Sequence, residues 1–200
     1  VGLGLMGFTD ILERLGYSYE SEEAYDMIDQ LVEFISYYSI DESAEMAKTR
    51  GNYETFKGSG WSNGLLPIDT LDELASSRKV KVNVTRKHKL DWEKLRAKTK
   101  KGMRNATLMA IAPTANIGLI AGTTPGLDPQ FAQIFSRSTL SGKFLEVNVN
   151  LVNALKEVNL WEEVKDEVLA RQGDIQGIDA IPQSIKDVYK TSFQISPYAF

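Results

Sequence analysis

The chain has 200 residues, 42% of them hydrophobic and 25% charged, which is the composition of an ordinary folded domain and argues against intrinsic disorder. Its 23 Lys and Arg residues face 27 Asp and Glu residues, and the net charge of −4 argues against non-specific nucleic-acid binding by the chain as a whole. Cysteine is absent and His88 is the one histidine, which excludes disulfides, thiolate nucleophiles and zinc sites of the usual kind within these residues.

Hydrophobic spacing predicts mostly helices in the first half of the chain. The predicted helices are 3–15 ending at Gly16, 21–51 capped by Ser21, a short helix from 69 to 75, and 90–101. Val80, Val82 and Val84 alternate with polar residues and predict an edge strand. The segment 52–67 is rich in Gly, Ser and aromatic residues and is predicted to be a loop.

The second half of the chain mixes strands and helices. A nearly continuous apolar stretch, 106–112, predicts a buried strand, and a helix over 114–121 follows it. Beyond a loop, the pattern predicts a strand over 131–139 and helices over 144–158 and 160–171.

Both ends are interpreted as cut. Val1 opens directly into an apolar, glycine-spaced run, and Ser196 and Pro197 are typical of the first turn of a helix. We therefore expect a piece of a longer chain. The chain contains no apolar run of the ~20 residues that span a bilayer and no signal-peptide pattern, so a cytoplasmic protein is expected.

The first glycines, Gly2, Gly4 and Gly7, have the G-x-G-x-x-G spacing of a dinucleotide-binding loop. That interpretation requires a strand before the glycines and a helix after them. Because no strand is predicted before them, the favoured interpretation is that small residues allow close packing. A dinucleotide-dependent oxidoreductase remains the alternative.

The second signal is a cluster of basic residues. Twelve Lys and Arg residues lie between Arg78 and Arg104, against the two acids Asp91 and Glu93. Such a cluster could make the chain a polyanion-binding module, but a single aromatic residue offers no stacking platform, and a solvated face is the simpler interpretation. His88, within this cluster, is expected to be exposed and inert. The acidic pairs elsewhere are expected to be solvated.

The third signal is the segment after the predicted buried strand, which consists of Pro113, Thr114, Ala115, Asn116 and Ile117. A strand that runs into the start of a helix directs free backbone N–H groups and the positive helix end to one point, where an anion would bind. Thr114 adds a hydroxyl, Asn116 adds an amide, and the small Ala115 lets a ligand approach the backbone. The simpler interpretation is that Thr114 merely caps the helix.

The segment Arg104–Ile117 reads RNATLMAIAPTANI, and it closely resembles the large, catalytic subunit of ribonucleotide reductases, particularly the class I ribonucleoside-diphosphate type. Further matching motifs follow the order of that family and extend the resemblance over essentially the whole chain. They are Val1–Asp10, Leu66–Thr70, Leu90–Glu93, Gly126–Pro129, Ser141–Phe144 with Val147–Asn148, Leu160–Trp161 and Tyr189–Lys190–Thr191.

The resemblance implies an α/β fold, namely a mostly helical part of the family's ten-stranded α/β barrel, with residues 1–200 inside a single catalytic barrel domain. It implies that residues 113–117 receive the phosphates of a ribonucleoside diphosphate substrate. It also implies that backbone N–H groups do more of the binding here, because some relatives carry more hydroxyl and acidic residues where this chain has Thr114, Ala115 and Asn116.

The family reduces ribonucleotides to deoxyribonucleotides with a cysteine thiyl radical. The resemblance implies that the catalytic cysteines and the allosteric sites precede Val1 and that the radical-relay tyrosines follow Phe200, so no catalytic residue, metal or cofactor site is expected here. The parent enzyme is expected to associate with itself and with a metal-containing small subunit that supplies the radical, and to use a thioredoxin- or glutaredoxin-type reductant and ATP or deoxynucleotide effectors. An adenosylcobalamin-dependent reductase of the same superfamily is the alternative.

Overall fold

The computed structural model describes residues 1–79, 81–82, 84, 87–140 and 142–199, and the chain divides into two compact units. The first unit consists of residues 1–3 and 29–110, and the second of residues 4–28 and 111–200. The α-helices of the described residues are, in chain order, α1 (Phe8–Leu15), α2 (Glu22–Arg50), α3 (Gly60–Asn63), α4 (Thr70–Arg78), α5 (Trp92–Thr99), α6 (Ala115–Ala121), α7 (Val149–Glu157), α8 (Trp161–Ala170) and α9 (Gln183–Val188). Short 3-10 helices span Pro67–Asp69 and Pro197–Ala199, and the strands are β1 (Ile134–Thr139) and β2 (Gly142–Val147). No helix among these residues is both long enough and apolar enough to cross a membrane.

The core of the first unit lies between α2 and α5. Ile40 and Ala44 are four residues apart on one face of α2, and they pack with Leu95, Met103 and Leu108. Burial of each large apolar side chain contributes about 1.5–3 kcal/mol. This contact fixes α5, which Asp91 caps by accepting a 2.9 Å hydrogen bond from the Lys94 N–H.

The second unit has two apolar clusters. In one, Phe8 and Leu12 of α1 pack with Ala24 and against Leu127. The other cluster packs α7 and α8 against the first residue of β1. Its buried members are Ile134, Leu151, Leu155, Val164, Val168, Ile175, Ile178, Ile181 and Tyr189. The strands β1 and β2 form an antiparallel hairpin that runs from the Ile134–Val147 pair to the Thr139–Gly142 pair.

Most predicted helices are confirmed, but the first one begins later than its spacing predicts. The predicted helix 3–15 starts only at Phe8. The reason is that Leu3 forms a parallel bridge with Met109. Its N–H donates to the carbonyl of Leu108 at 2.7 Å and its carbonyl accepts from the Ala110 N–H at 2.9 Å, so neither group is available to a helix.

The buried strand predicted for 106–112 is wrong. The bridge to Leu3 is the only ladder pairing that the described residues give this segment, and although Leu108 is buried, Ile111 is 49% exposed. A parallel strand with an apolar sequence needs pairing along its length and cover on both faces, and the described residues supply neither.

Three further predictions differ from the structure. The predicted helix 144–158 begins only at Val149, because residues up to Val147 pair with β1 and Asn148 then caps α7. The predicted loop 52–67 contains the short α3 and the 3-10 helix that begins at Pro67. Of the predicted strand 80–84, Val80 and Asn83 lie outside the described residues, and Lys81, Val82 and Val84 are not in a strand. The helix α9 was not predicted.

Candidate anion-binding site

The segment 113–117 leads into the N-terminus of α6, as predicted. Thr114 occupies the position before the helix, and its carbonyl accepts the first helical hydrogen bond, at 2.6 Å, from the Gly118 N–H. The N–H groups of Ala115, Asn116 and Ile117 therefore lie in the first turn, where a helix leaves its donors unpaired. No partner for these three amides is found among the described residues, and all three residues are exposed.

The hydroxyl of Thr114 does not cap α6, so the simple capping interpretation is wrong. Its Oγ1 instead accepts a 2.8 Å hydrogen bond from the N–H of Gly126, in the turn that follows α6. This contact uses an oxygen lone pair and leaves the hydroxyl hydrogen without an acceptor among the described residues. The segment consequently offers three backbone donors and one hydroxyl donor.

Two glycines allow the turn after α6 to lie close against the helix. Gly122 ends α6 with a φ of 69°, a conformation that L side chains rarely adopt. A Cβ on Gly118 would lie 2.9 Å from the carbonyl oxygen of Thr123, which is closer than real Cβ contacts. The Thr123 N–H, for its part, donates a 2.8 Å hydrogen bond to the Gly118 carbonyl.

A cavity of about 900 Å³ lies beside this helix in the second unit. Its lining includes Ala115 and Leu119 of α6, residues of α1 and the start of α7. The buried Glu13 is part of that lining, and its two carboxylate oxygens accept 2.8 Å hydrogen bonds from Asn148 Nδ2 and Asn150 Nδ2. Burial raises the pKa of Glu13 to about 7, against the lowering effect of those two hydrogen bonds.

The hydrogen-bond network around Glu13 continues through Asn148. Asn148 Nδ2 also donates to Gln133 Oε1 at 2.7 Å, and Gln133 Nε2 donates to the carbonyl of Tyr189 at 2.9 Å. Sequence reasoning missed this network because it placed Asn148 inside a predicted helix and gave Glu13 no special environment. The Asn that precedes the apolar run of α7 was a signal for a helix start that could have revealed part of it.

Two basic residues of the segment 78–104 form ion pairs with acidic residues elsewhere in the first unit. Arg96 forms a two-point ion pair with Asp69, and Lys98 pairs with Asp41 and Glu45. Lys89 Nζ donates to Gln30 Oε1 at 2.7 Å. These contacts occupy part of the segment's positive charge, and the polyanion-binding alternative stays a prediction.

The structure exposes His88 and two of the acidic pairs. His88 is exposed, as predicted. Of the acidic pairs, Glu22 and Glu23 are exposed in the first turn of α2, and Glu162 forms an exposed ion pair with Lys165. Within the ranges that the structure describes, no cluster of three or more His, Cys, Asp or Glu residues could hold a metal ion.

Gly2 and Gly7 allow close packing at the start of the chain, as expected. A Cβ on Gly2 would lie 3.0 Å from that of Ala110, and a Cβ on Gly7 would lie 3.2 Å from that of Thr123. A helix does follow Gly7, as a dinucleotide-binding loop requires, but its first turn carries the acidic Asp10, which would repel a pyrophosphate.

Comparison with known protein families covers the entire chain. The model of the family described as "Ribonucleotide reductase, barrel domain" matches residues 1–200. The chain is 42% identical over 200 residues to the ribonucleoside-diphosphate reductase subunit alpha of Chlamydia muridarum, a match that covers 98% of this chain and 19% of that protein. It is 37% identical over 198 residues to the large subunit of the same enzyme from Caenorhabditis elegans, covering 98% of this chain and 24% of that protein.

The fold is similar to that of the class Id ribonucleotide reductase alpha subunit of Actinobacillus ureae. The TM-score is 0.66 at 20% sequence identity, and the match covers 99% of this chain and 28% of that one. At this level of identity the similarity concerns the fold alone. The chain spans about a fifth to a quarter of the length of these curated relatives.

Proposed function

The chain belongs to the ribonucleotide reductase barrel domain family, and on that premise we propose that it is part of the large subunit of a cytoplasmic ribonucleoside-diphosphate reductase. In this proposal residues 1–200 form part of one catalytic barrel domain, and residues 113–117 bind the phosphates of the ribonucleotide substrate. The observation that carries the proposal is the set of exposed amides of Ala115, Asn116 and Ile117 at the start of α6, which find no acceptor in the part of the chain that the structure describes.

The chemical contribution of this segment is binding and orientation. Three amides and the Thr114 hydroxyl would donate to the phosphate oxygens, and the positive end of the short helix would favour their negative charge. The contact between Thr114 and Gly126 holds these donors in place before substrate arrives. Donors that are already oriented hold a reacting group in a fixed position at little entropic cost.

The reaction itself requires groups outside this chain. The chain has no cysteine, so the thiyl radical and the reducing cysteine pair of the proposed reaction must be supplied by other parts of the parent protein. We propose that the parent enzyme obtains its radical from a metal-containing small subunit, self-associates, responds to ATP or deoxynucleotide effectors and is re-reduced by a thioredoxin- or glutaredoxin-type protein. The relatives at 42% and 37% identity are named as an alpha and a large subunit of a ribonucleoside-diphosphate reductase, which supports a diphosphate substrate and a partner subunit; an adenosylcobalamin-dependent reductase remains the alternative.

The substitution Asn116→Asp tests the phosphate site in the full-length enzyme. It places a negative charge beside the amide donors, so the dissociation constant of the ribonucleoside diphosphate should rise about tenfold, which corresponds to about 1.4 kcal/mol. A negative charge in the first turn interacts favourably with the helix dipole and stabilises α6. A loss of affinity would therefore not come from unfolding of this helix.

The matched control is Asn159→Asp, which adds the same charge at an exposed position between α7 and α8. This control should leave diphosphate affinity unchanged, and Asn116→Asp should leave the binding of the corresponding nucleoside, which has no phosphate, unchanged. Equal dissociation constants for the diphosphate in the parent enzyme and Asn116→Asp would refute the phosphate site.

A further inference from the structure

The helix α1 and the chain just before and after it hold the segment 123–128 at four points in the second unit. The N–H of Gly7 donates to the carbonyl of Thr124 at 2.9 Å, and Thr9 Oγ1 donates to the carbonyl of Asp128 at 2.8 Å. Tyr19 Oη donates to the carbonyl of Leu127 at 2.8 Å. The fourth point is a carboxylate, that of Asp10.

Asp10 Oδ2 accepts two hydrogen bonds from a single residue. The N–H of Thr124 donates to it at 2.7 Å and the hydroxyl of Thr124 at 2.8 Å. Because the Thr124 carbonyl accepts from Gly7, all three polar groups of Thr124 are bound by residues at the start of α1. Thr124 is 3% exposed, so losing the acceptor would leave buried donors without partners.

The same turn holds the candidate phosphate segment. Two residues after Thr124, the N–H of Gly126 donates to Thr114 Oγ1. One residue before it, the N–H of Thr123 donates to the carbonyl of Gly118 within α6. Thr124 therefore lies between two residues that bind the first and the last residue of the segment 114–118.

We propose that Asp10 is a positioning residue for substrate binding, which fixes the turn 122–126 through Thr124 and thereby the donors of residues 114–117. This inference rests on the proposed function, because it assigns the phosphates to that segment. Asp10 acts here as a hydrogen-bond acceptor, and its negative charge is not required. An Asn at the position can present its side-chain oxygen to both Thr124 donors, whereas an Ala cannot.

The substitutions Asp10→Ala and Asp10→Asn, made in the full-length enzyme, separate these roles. Asp10→Ala should raise the KM and the dissociation constant for the diphosphate about tenfold, with a smaller change in kcat, because bound substrate restores part of the loop order. Asp10→Asn should remain within about threefold of the parent enzyme, since each neutral hydrogen bond is somewhat weaker than one to a carboxylate. Asp26→Ala, which removes an exposed carboxylate from α2, is the control and should change neither constant.

A milder variant and a second measurement guard against misfolding of Asp10→Ala. Thr124→Val removes only the hydroxyl donor and keeps the backbone N–H, so it should raise KM by less than Asp10→Ala. Amide hydrogen exchange of the peptide that covers 122–126 should speed up in Asp10→Ala and Thr124→Val but not in Asp10→Asn. The proposal would be overturned if Asp10→Ala and Thr124→Val both left the KM and the rate of amide exchange unchanged. If Asp10→Asn raised the KM as much as Asp10→Ala, the role of Asp10 as a hydrogen-bond acceptor would be wrong.

Parallel measurement of Asn116→Asp separates this inference from the proposed function. If Asn116→Asp weakens diphosphate binding and Asp10→Ala does not, the positioning role of Asp10 is wrong and the phosphate site stands. If neither substitution changes diphosphate binding, the phosphate site is wrong and the role of Asp10 in substrate binding falls with it.

Discussion

Glu13 on α1 and Asn148 at the start of α7 are 135 positions apart in the chain, yet a 2.8 Å hydrogen bond joins them in a buried network. Asn148 uses its other side-chain atom, Oδ1, to cap α7 by accepting the Asn150 N–H at 2.9 Å. One asparagine thus links the buried carboxylate to the helix terminus. The stability of the second unit should therefore depend on the protonation state of Glu13.

The first prediction concerns that pH dependence. The pKa of folded Glu13 is about 7 and the ordinary value is 4.5, so the folded state favours the protonated form. The part of the free energy of unfolding that depends on protonated Glu13 is fully present below about pH 4.5 and is lost as the pH rises through 7. The change is about 3 kcal/mol. Glu13→Gln cannot ionise, so its stability relative to the parent protein should increase from pH 5 to pH 8.

Thermal or denaturant unfolding of both proteins at several pH values measures this difference. Glu54→Gln, at an exposed position outside the helices, is the control and should change the pH dependence of stability far less than Glu13→Gln does. A constant difference between Glu13→Gln and the parent protein across this range would show that Glu13 does not titrate there.

The second prediction concerns the hydroxyl of Thr114. Thr114→Val keeps the shape of the side chain but removes the acceptor for the buried Gly126 N–H, which should cost about 1–3 kcal/mol of stability. It also removes a proposed phosphate donor, so KM for the diphosphate should rise. Thr114→Ser keeps the hydroxyl, so its stability and its KM for the diphosphate should stay close to those of the parent enzyme. Equal KM values for Thr114→Val and Thr114→Ser would contradict the role of the hydroxyl.

The third prediction concerns the ion pair between Asp69 and Arg96 in the first unit. Asp69 also accepts a 2.7 Å hydrogen bond from the N–H of Leu66, and the hydrogen bonds from Arg96 hold the pKa of Asp69 below its usual value. Asp69→Ala should lower the free energy of unfolding by about 1–3 kcal/mol, because it also leaves the partly buried Arg96 without its two-point partner.

Glu93→Ala is the matched control for that pair. Glu93 also binds Arg96, but its side chain is 77% exposed, so its loss should cost less than about 0.5 kcal/mol. Denaturant unfolding of the two variants compares them directly. Similar losses of stability would mean that the Asp69 contact is no stronger than an ordinary surface pair.

Local sequence signals predicted most of the helices correctly. Ser21 marks the start of α2, Asp91 caps α5 and Gly122 ends α6, because caps and helix-ending glycines act within a few residues. The helix start after Thr114 could be predicted in the same way. Its hydroxyl partner could not, because Gly126 approaches only after the turn has folded back.

Where local patterns were misread, longer-range pairing decided the structure. Residues 144–147 have a spacing compatible with a helix but pair with β1, and Leu3 pairs with Met109 instead of joining α1. In both places, backbone hydrogen bonds to another segment replace those that a helix would make.

The sequence by itself determined the family, most helix boundaries and the loop of the candidate phosphate site, because motifs and caps depend on neighbouring residues. Tertiary structure alone decided which side chains support that loop and which carboxylate is buried. Asp10 reaches Thr124 across 114 positions, and Glu13 acquires a pKa of about 7 only because folding buries its carboxylate. Burial and hydrogen bonding of this kind depend on distances in space, which the order of residues along the chain does not specify.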